Sequence, residues 1–290
     1  MAVNNSLVQS KANAKMGMTA YLTQDAVKDQ INKVIGGKNG TRFITSIISA
    51  VNNNEQLQQC TNQSILSAAL LGESLNLSPS PMLGYYYLVP FNDKNKGKVA
   101  QFQIGYKGLI QLAIRSGQYK KINVMAIKEG ELEYFDPLNE DIKVNLMVND
   151  WNAREKAQTV GYYATFELVN GFKKSIYWSR EQMEAHALQY SQGYKAKKGY
   201  TFWEKDFDAM AYKTMLRQLL SKWGIMSTEM MSAIDSDEAV INEDGSKTYV
   251  ETEQVIDVPA TEEKKPEPAA APTPAPAPAE DPAAALFGGK

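Results

Sequence analysis

Two clusters of cations interleaved with aromatic rings are the parts of this 290-residue sequence best equipped to meet an anionic partner. In residues 81–125, Lys94, Lys96, Lys98, Lys107, Arg115, Lys120 and Lys121 stand against one acid, Asp93. Tyr85, Tyr86, Tyr87, Tyr106 and Tyr119 lie among them. Lysines can track phosphates while aromatic faces stack on bases of any sequence, so the mixture suits a single-stranded nucleic acid. On a helix, Lys107, Gln111 and Arg115 recur every four residues and share a face. Leu109, Ile110, Leu112, Ala113 and Ile114 cover the remainder, so the stripe is expected to point outward. A solvated face over a tyrosine-rich core is the plainer alternative.

The second cluster, residues 193–222, holds Lys195, Lys197, Lys198, Lys205, Lys213, Arg217 and Lys222 against Glu204, Asp206 and Asp208. It opens with YKAKKGYTFW, read as a loop of lysines and aromatics. Further on, Met215, Leu216, Leu219, Leu220 and Trp223 form one helical arc with Lys213 and Arg217 at its border. A cation there either snorkels to solvent or points into a groove shared with a neighbouring sheet. Ordinary surface pairing with Asp206 and Asp208 is the competing reading.

Signals for covalent catalysis are weak. One histidine, His186, and one cysteine, Cys60, leave no disulfide framework and no Cys/His zinc site, and no cofactor or metal is expected. IGGKNGT at 35–41 lacks the first glycine and the Lys-Ser/Thr order of a phosphate loop, and fits a helix–helix connection better. Asp141-Ile-Lys143 has the spacing of part of a nuclease site, without a paired upstream acid. Glu129, Glu131 and Glu133 bracket a turn and read as solvated.

The elements that must position these residues follow from periodicity. Apolar spacing predicts helix from Asp25 to about Asn53, interrupted near Gly36, Gly37 and Gly40, and again from about Asn62 to Leu75. Strands are expected at 84–91 and 99–106, joined by residues 92–98, with Phe102, Ile104 and Tyr106 on one face and Gln101 and Gln103 on the other. A helix follows over 108–116, then strands at 122–127, 131–135 and 141–148. Asn170-Gly171 marks a hairpin between 159–169 and 172–178. Ser179 with Gln182 three residues later is a capping box that opens a helix to about Tyr190. A long helix is expected from about Phe202 to Trp223.

Charge divides the chain. Residues 1–235 carry 27 Lys or Arg against 21 acids, whereas 236–290 carry 4 against 12. Eight of the twelve prolines fall within 259–290. The expected organisation is a flexible arm over 1–24, a folded basic domain over 25–235, and a disordered, acidic Pro/Ala-rich tail over 236–290. The fold class is α+β, a mainly antiparallel sheet with β-hairpins packed against helices. No apolar run approaches the roughly 20 residues of a membrane helix, and the N-terminus lacks a signal-peptide core, so a cytoplasmic protein is expected.

Three stretches together resemble the RecT family of phage single-strand annealing proteins. They are LNLSPSPMLGYYYLVPF at 75–91, VAQFQIGYKGLIQLAIRSGQYKKINV at 99–124 and FWEKDFDAMAYKTMLRQLLSKWG at 202–224. The resemblance covers about residues 25–235. It implies an ATP-independent recombinase of a bacterial host cytoplasm that binds single-stranded DNA and anneals it through a duplex intermediate. It further implies a homo-oligomer, as ring or helical filament, that works with a 5′→3′ exonuclease and the host single-strand-binding protein. DNA would lie between the hairpin region and the helices. The matching positions here are Lys94, Lys96, Lys98, Gln101, Gln103, Tyr106, Lys107, Gln111, Arg115, Lys205, Lys213 and Arg217. A passive binding protein without annealing activity shares these features.

Overall fold

A computed structural model describes residues 16–80, 82–93, 96–199, 201–242 and 244–249, with the side chains of residues 37 and 38 excepted. Five helices come first: α1 (Met18–Leu22), α2 (Asp25–Ile35), α3 (Gly37–Asn52), α4 (Glu55–Gln58) and α5 (Asn62–Ser74). Gly36, with φ of 76°, separates α2 from α3 where the glycine-rich interruption was expected. Val27, Ile31, Phe43 and Ile47 turn the shared apolar face of α2 and α3 inward. Helix α1 belongs to this core through Met18, Tyr21 and Leu22, and Asn62 Nδ2 donates to the Met16 carbonyl at 2.7 Å. The folded body therefore begins before residue 25. Residues 1–15 of the expected arm lie outside the described residues.

The hairpin β1 (Tyr86–Asp93) and β2 (Gly97–Ile104) is antiparallel with a tighter turn than expected, since Asp93 pairs with Gly97. Helix α6 (Tyr106–Arg115) follows directly. A second antiparallel sheet has the order β3-β6-β7, from β3 (Tyr119–Lys128), β6 (Thr159–Leu168) and β7 (Lys173–Ser179). Between β3 and β6 the chain makes the ribbon β4 (Leu132–Asp136) and β5 (Asp141–Val144) and the short helix α7 (Trp151–Lys156). The Asn170-Gly171 turn and the Ser179–Gln182 capping box both form, the latter opening α8 (Arg180–Tyr190). Short α9 (Gln192–Lys195) comes next.

The single long helix expected over 202–223 is two. Asp206 leaves helical geometry and its side chain accepts from Ala209 N at 3.0 Å, capping α11 (Phe207–Trp223) after the one-turn α10 (Phe202–Lys205). Helix α11 buries Ala211, Met215, Leu216, Leu219 and Leu220 and packs against α6 and the β3-β6-β7 sheet. Its Tyr212 ring stands edge-on to Tyr106 of α6 at 5.6 Å and to Tyr162 of β6 at 6.0 Å.

The C-terminal boundary also differs from expectation. Helix α12 (Thr228–Asp235) leads into β8 (Ala239–Ile241) and β9 (Lys247–Tyr249), which extend the hairpin to a four-stranded sheet, β1-β2-β8-β9. Ser236, Asp237, Ala239, Val240 and Ile241 are buried. Composition hides this segment because only three apolar residues, Ala239 to Ile241, make the strand. The proline-rich stretch beyond residue 249 lies outside the described residues. Overall the fold is α+β, with antiparallel sheets packed against helices.

Candidate nucleic-acid interface

The hairpin delivers the chain to α6 through Gly105-Tyr106-Lys107-Gly108. Gly105 N donates to the Tyr85 carbonyl at 2.8 Å. A Cβ on Gly105 would collide with the Gly84 carbonyl oxygen, and one on Gly108 with that of Tyr85. Both glycines thus permit the turn before β1 to lie directly on the first turn of α6, a close approach closed to any other residue. The N-terminus of α6 has no side-chain cap, so its leading amides remain as donors.

Lys107 is exposed at this turn, and its Nζ lies 6.0 Å from the centre of the Tyr106 ring. It forms no ion pair with any described residue. A Cβ on Gly84 would meet the Tyr87 hydroxyl at 2.9 Å and Lys107 Cδ at 3.5 Å, so the lysine stem, Gly84 and Tyr87 form one patch. Tyr87 in turn touches Phe202 of α10, with centroids 5.7 Å apart. Burial, reinforced by Tyr106 and Asp206, pushes the Tyr87 phenol above its ordinary range, so it stays a neutral donor. The two sequence clusters therefore do meet, through Tyr87–Phe202 and Tyr106–Tyr212.

The α11 cations have a different fate. Lys213 is buried, and its Nζ bonds Asp237 Oδ1 at 2.9 Å. Arg217 Nη1 reaches Asp237 Oδ2 at 2.6 Å. The same carboxylate, fully buried, accepts from Ile104 N at 3.0 Å. One acid placed in the tail by composition thus locks β2 to α11. The partly exposed Arg217 opens on a cleft that also holds Asp235, Asp237 and Glu238, a poor field for a phosphate.

The remaining predicted positions scatter. Lys96 Nζ donates to Asn242 Oδ1 at 2.7 Å, and Lys98 Nζ to Gln56 and, at 2.8 Å, Gln59. Both are tethered to the body. Lys94 lies outside the described residues. Gln101 is buried rather than facing solvent, because both faces of β2 are covered, whereas Gln103 is half-buried. Gln111 is half-buried. Arg115 is exposed but bonds the carbonyls of Asn76 at 3.0 Å and Leu75 at 2.8 Å, which close α5. The expected stripe is outward only in part. Lys205 is exposed beside Phe202.

A model of the RecT family matches residues 41–254, more than half of the chain. The match takes in β8, β9 and Asp237. The chain belongs to the RecT family. It is 40% identical over 259 residues to "Uncharacterized protein YqaK" of Bacillus subtilis (strain 168), covering 87% of this chain and 84% of that protein. It is 29% identical over 223 residues to "Protein RecT" of Escherichia coli (strain K12), covering 76% and 79%. Family membership makes it, in general terms, a single-strand annealing protein of DNA recombination.

In this RecT-family chain several residues carry roles that sequence reading missed. Glu131, expected in solvent, is fully buried and holds Arg154 at 2.6 Å, with Lys128 N and Met147 N as further donors. Burial raises its pKa, but Arg154 and the two amides outweigh that and hold the carboxyl below its ordinary value. Arg180 lies 3.5 Å from the centre of the Phe207 ring and bonds the Tyr162 hydroxyl, which donates to Asp208 at 2.5 Å. The exposed ring of Phe202 had a signal, its place at the end of a basic aromatic loop. Asp237 had none. Lys143 pairs with Glu133 at 2.5 Å, and Asp141 accepts from Tyr134. His186 packs between Trp178 and Tyr190, with its pKa lowered by burial and Arg217. Burial pushes the Cys60 thiol up to about 11.

Proposed function

We propose that this protein binds single-stranded DNA across the 82–85 turn with Tyr87, the start of α6 and α10, and anneals it to a complementary strand without ATP. The observation that carries the reading is the Tyr106–Lys107 turn. There an exposed lysine without an ion pair among the described residues, uncapped helix amides and tyrosine rings meet where α6 contacts α11. Lysine and amides offer charge and hydrogen bonds to phosphate, and the rings offer faces to bases. Neutralised phosphates let two like-charged strands approach, and pairing between strands reads the sequence, so no base-specific contact is required. The free energy comes from base pairing and subunit contacts rather than nucleotide hydrolysis.

Within this reading the protein acts as a homo-oligomer, ring or filament, in the cytoplasm of a bacterium, with DNA of phage type as substrate. A 5′→3′ exonuclease supplies the strand, and the host single-strand-binding protein coats it. These partners rest on the family resemblance. Among the described residues no helix is long and apolar enough to cross a membrane.

Two complementary dye-labelled oligonucleotides, coated with single-strand-binding protein, test the proposal by energy transfer. Faster pairing on adding this protein without nucleotide is the expected result. Binding without faster pairing would leave only a passive binding protein, and no binding would sink the reading.

A further inference from the structure

Phe202 is an exposed aromatic side chain whose two neighbours are fixed. Before it, the Thr201 hydroxyl accepts from Glu204 N, while the Glu204 carboxylate accepts from Thr201 N at 3.0 Å and Gly199 N at 2.8 Å. After it, Trp203 is buried against Phe207 at 5.0 Å and Tyr194 at 6.2 Å. With Trp203 turned inward, Phe202 is left 42% exposed, its ring tilted against Tyr87 at an interplanar angle of 38°. A one-turn helix pinned by a capping box and a buried indole is a stiff mount for an open ring. A phenyl ring has only two side-chain torsions, so holding it against a ligand costs little entropy.

The chemistry around this ring is selective. Contacts run from Lys107 over Gly84 to Tyr87 and on to Phe202, which sets a cation and an open π-face on one patch. Lys205, three residues on, is exposed. Residues 82–83, on the turn that leads to Tyr87, are exposed too, Met82 to 92%. Phe202 carries no polar group, so it cannot read a base edge, but it can support any base by its face.

We infer that Phe202 is a base-stacking subsite: a nucleobase of the bound strand lies on its open face while the neighbouring lysines meet phosphate. The inference deepens the annealing reading and rests on it. Stacking on a ring backed by Tyr87 holds one base unstacked from its neighbours, with its pairing edge open to the second strand. A lysine-only surface would hold the backbone and leave the bases free to collapse on one another.

The experiment compares an oligothymidine with an abasic oligonucleotide of equal length, by fluorescence anisotropy on the full chain. Phe202→Ala should weaken the oligothymidine about tenfold, the scale of one lost stacked base, and leave the abasic strand unchanged. The slope of log affinity against log salt should not move, because no phosphate contact is lost. Phe202→Tyr should restore binding. Phe202→Leu, which keeps an apolar contact to Tyr87 without a π-face, should behave as Phe202→Ala and serves if the alanine variant does not fold. Equal weakening on both oligonucleotides, or none on oligothymidine, overturns the inference. Wild-type protein that binds neither strand overturns the annealing reading instead.

Discussion

Lys107 and Lys213 are both lysines set among aromatic and aliphatic residues on helices that touch each other, yet their surroundings give them opposite work. Lys107 sits at the uncapped start of α6, exposed and without an ion pair among the described residues. Lys213 is buried on α11 against an interior carboxylate. A count of charges along the chain treats them as equals. What separates them is Asp237, which arrives from 24 residues away and satisfies Lys213, Arg217 and the Ile104 amide together. Net charge over a segment therefore says little about the field that a ligand meets, because the counter-charge need not be local.

The contrast can be broken most forcefully at Asp237. Asp237→Ala leaves a buried lysine without its partner and should cost about 3–5 kcal/mol of stability in denaturant unfolding. Lys107→Ala should stay within about 0.5 kcal/mol of wild type in the same measurement. Equal effects would mean that the two lysines do not differ as described.

Acid unfolding probes a second buried pair. Glu131 has a folded-state pKa below its unfolded value, so it contributes stability above the ordinary carboxylate range and loses it as pH falls through the folded value. Glu131→Gln should lower stability at neutral pH and flatten its fall toward acid. An unchanged pH profile would show that another group dominates. Arg115→Ala, which removes two bonds to the carbonyls closing α5, should cost about 1–3 kcal/mol in thermal or denaturant unfolding. No loss would return Arg115 to the phosphate-facing set.

The smallest effect sharpens the contrast on the ligand side. Lys107→Ala should reduce the log–log salt slope of single-stranded DNA affinity by about 0.7, one phosphate contact. A slope equal to wild type would remove Lys107 from the interface.

Elements whose signal is local were legible in the chain. The Gly36 break between α2 and α3, the Asn170-Gly171 hairpin and the Ser179–Gln182 capping box each depend on residues within four positions of one another. The same holds for the apolar arc of α11. Less legible were elements defined by distant partners. The strand Ala239–Ile241 is three residues long and exists because β2 offers it an edge. Asp206 ended a helix that periodicity alone would have continued, since a cap competes with a pattern that it does not interrupt. Of the candidate site, the basic hairpin–α6 region was visible, but the burial of Gln101 and Lys213 was not.

By itself the sequence determined the local elements and the resemblance that pointed to the family: lysines among aromatics, two glycines three apart at 105 and 108, turn and cap residues where the chain bends. These are properties of residue type and spacing, and they survive any packing. Only the tertiary structure decided which cations and which ring remain exposed. Burial and ion pairing depend on what the rest of the chain brings alongside, and here a carboxylate at 237 and an indole at 203 made those choices.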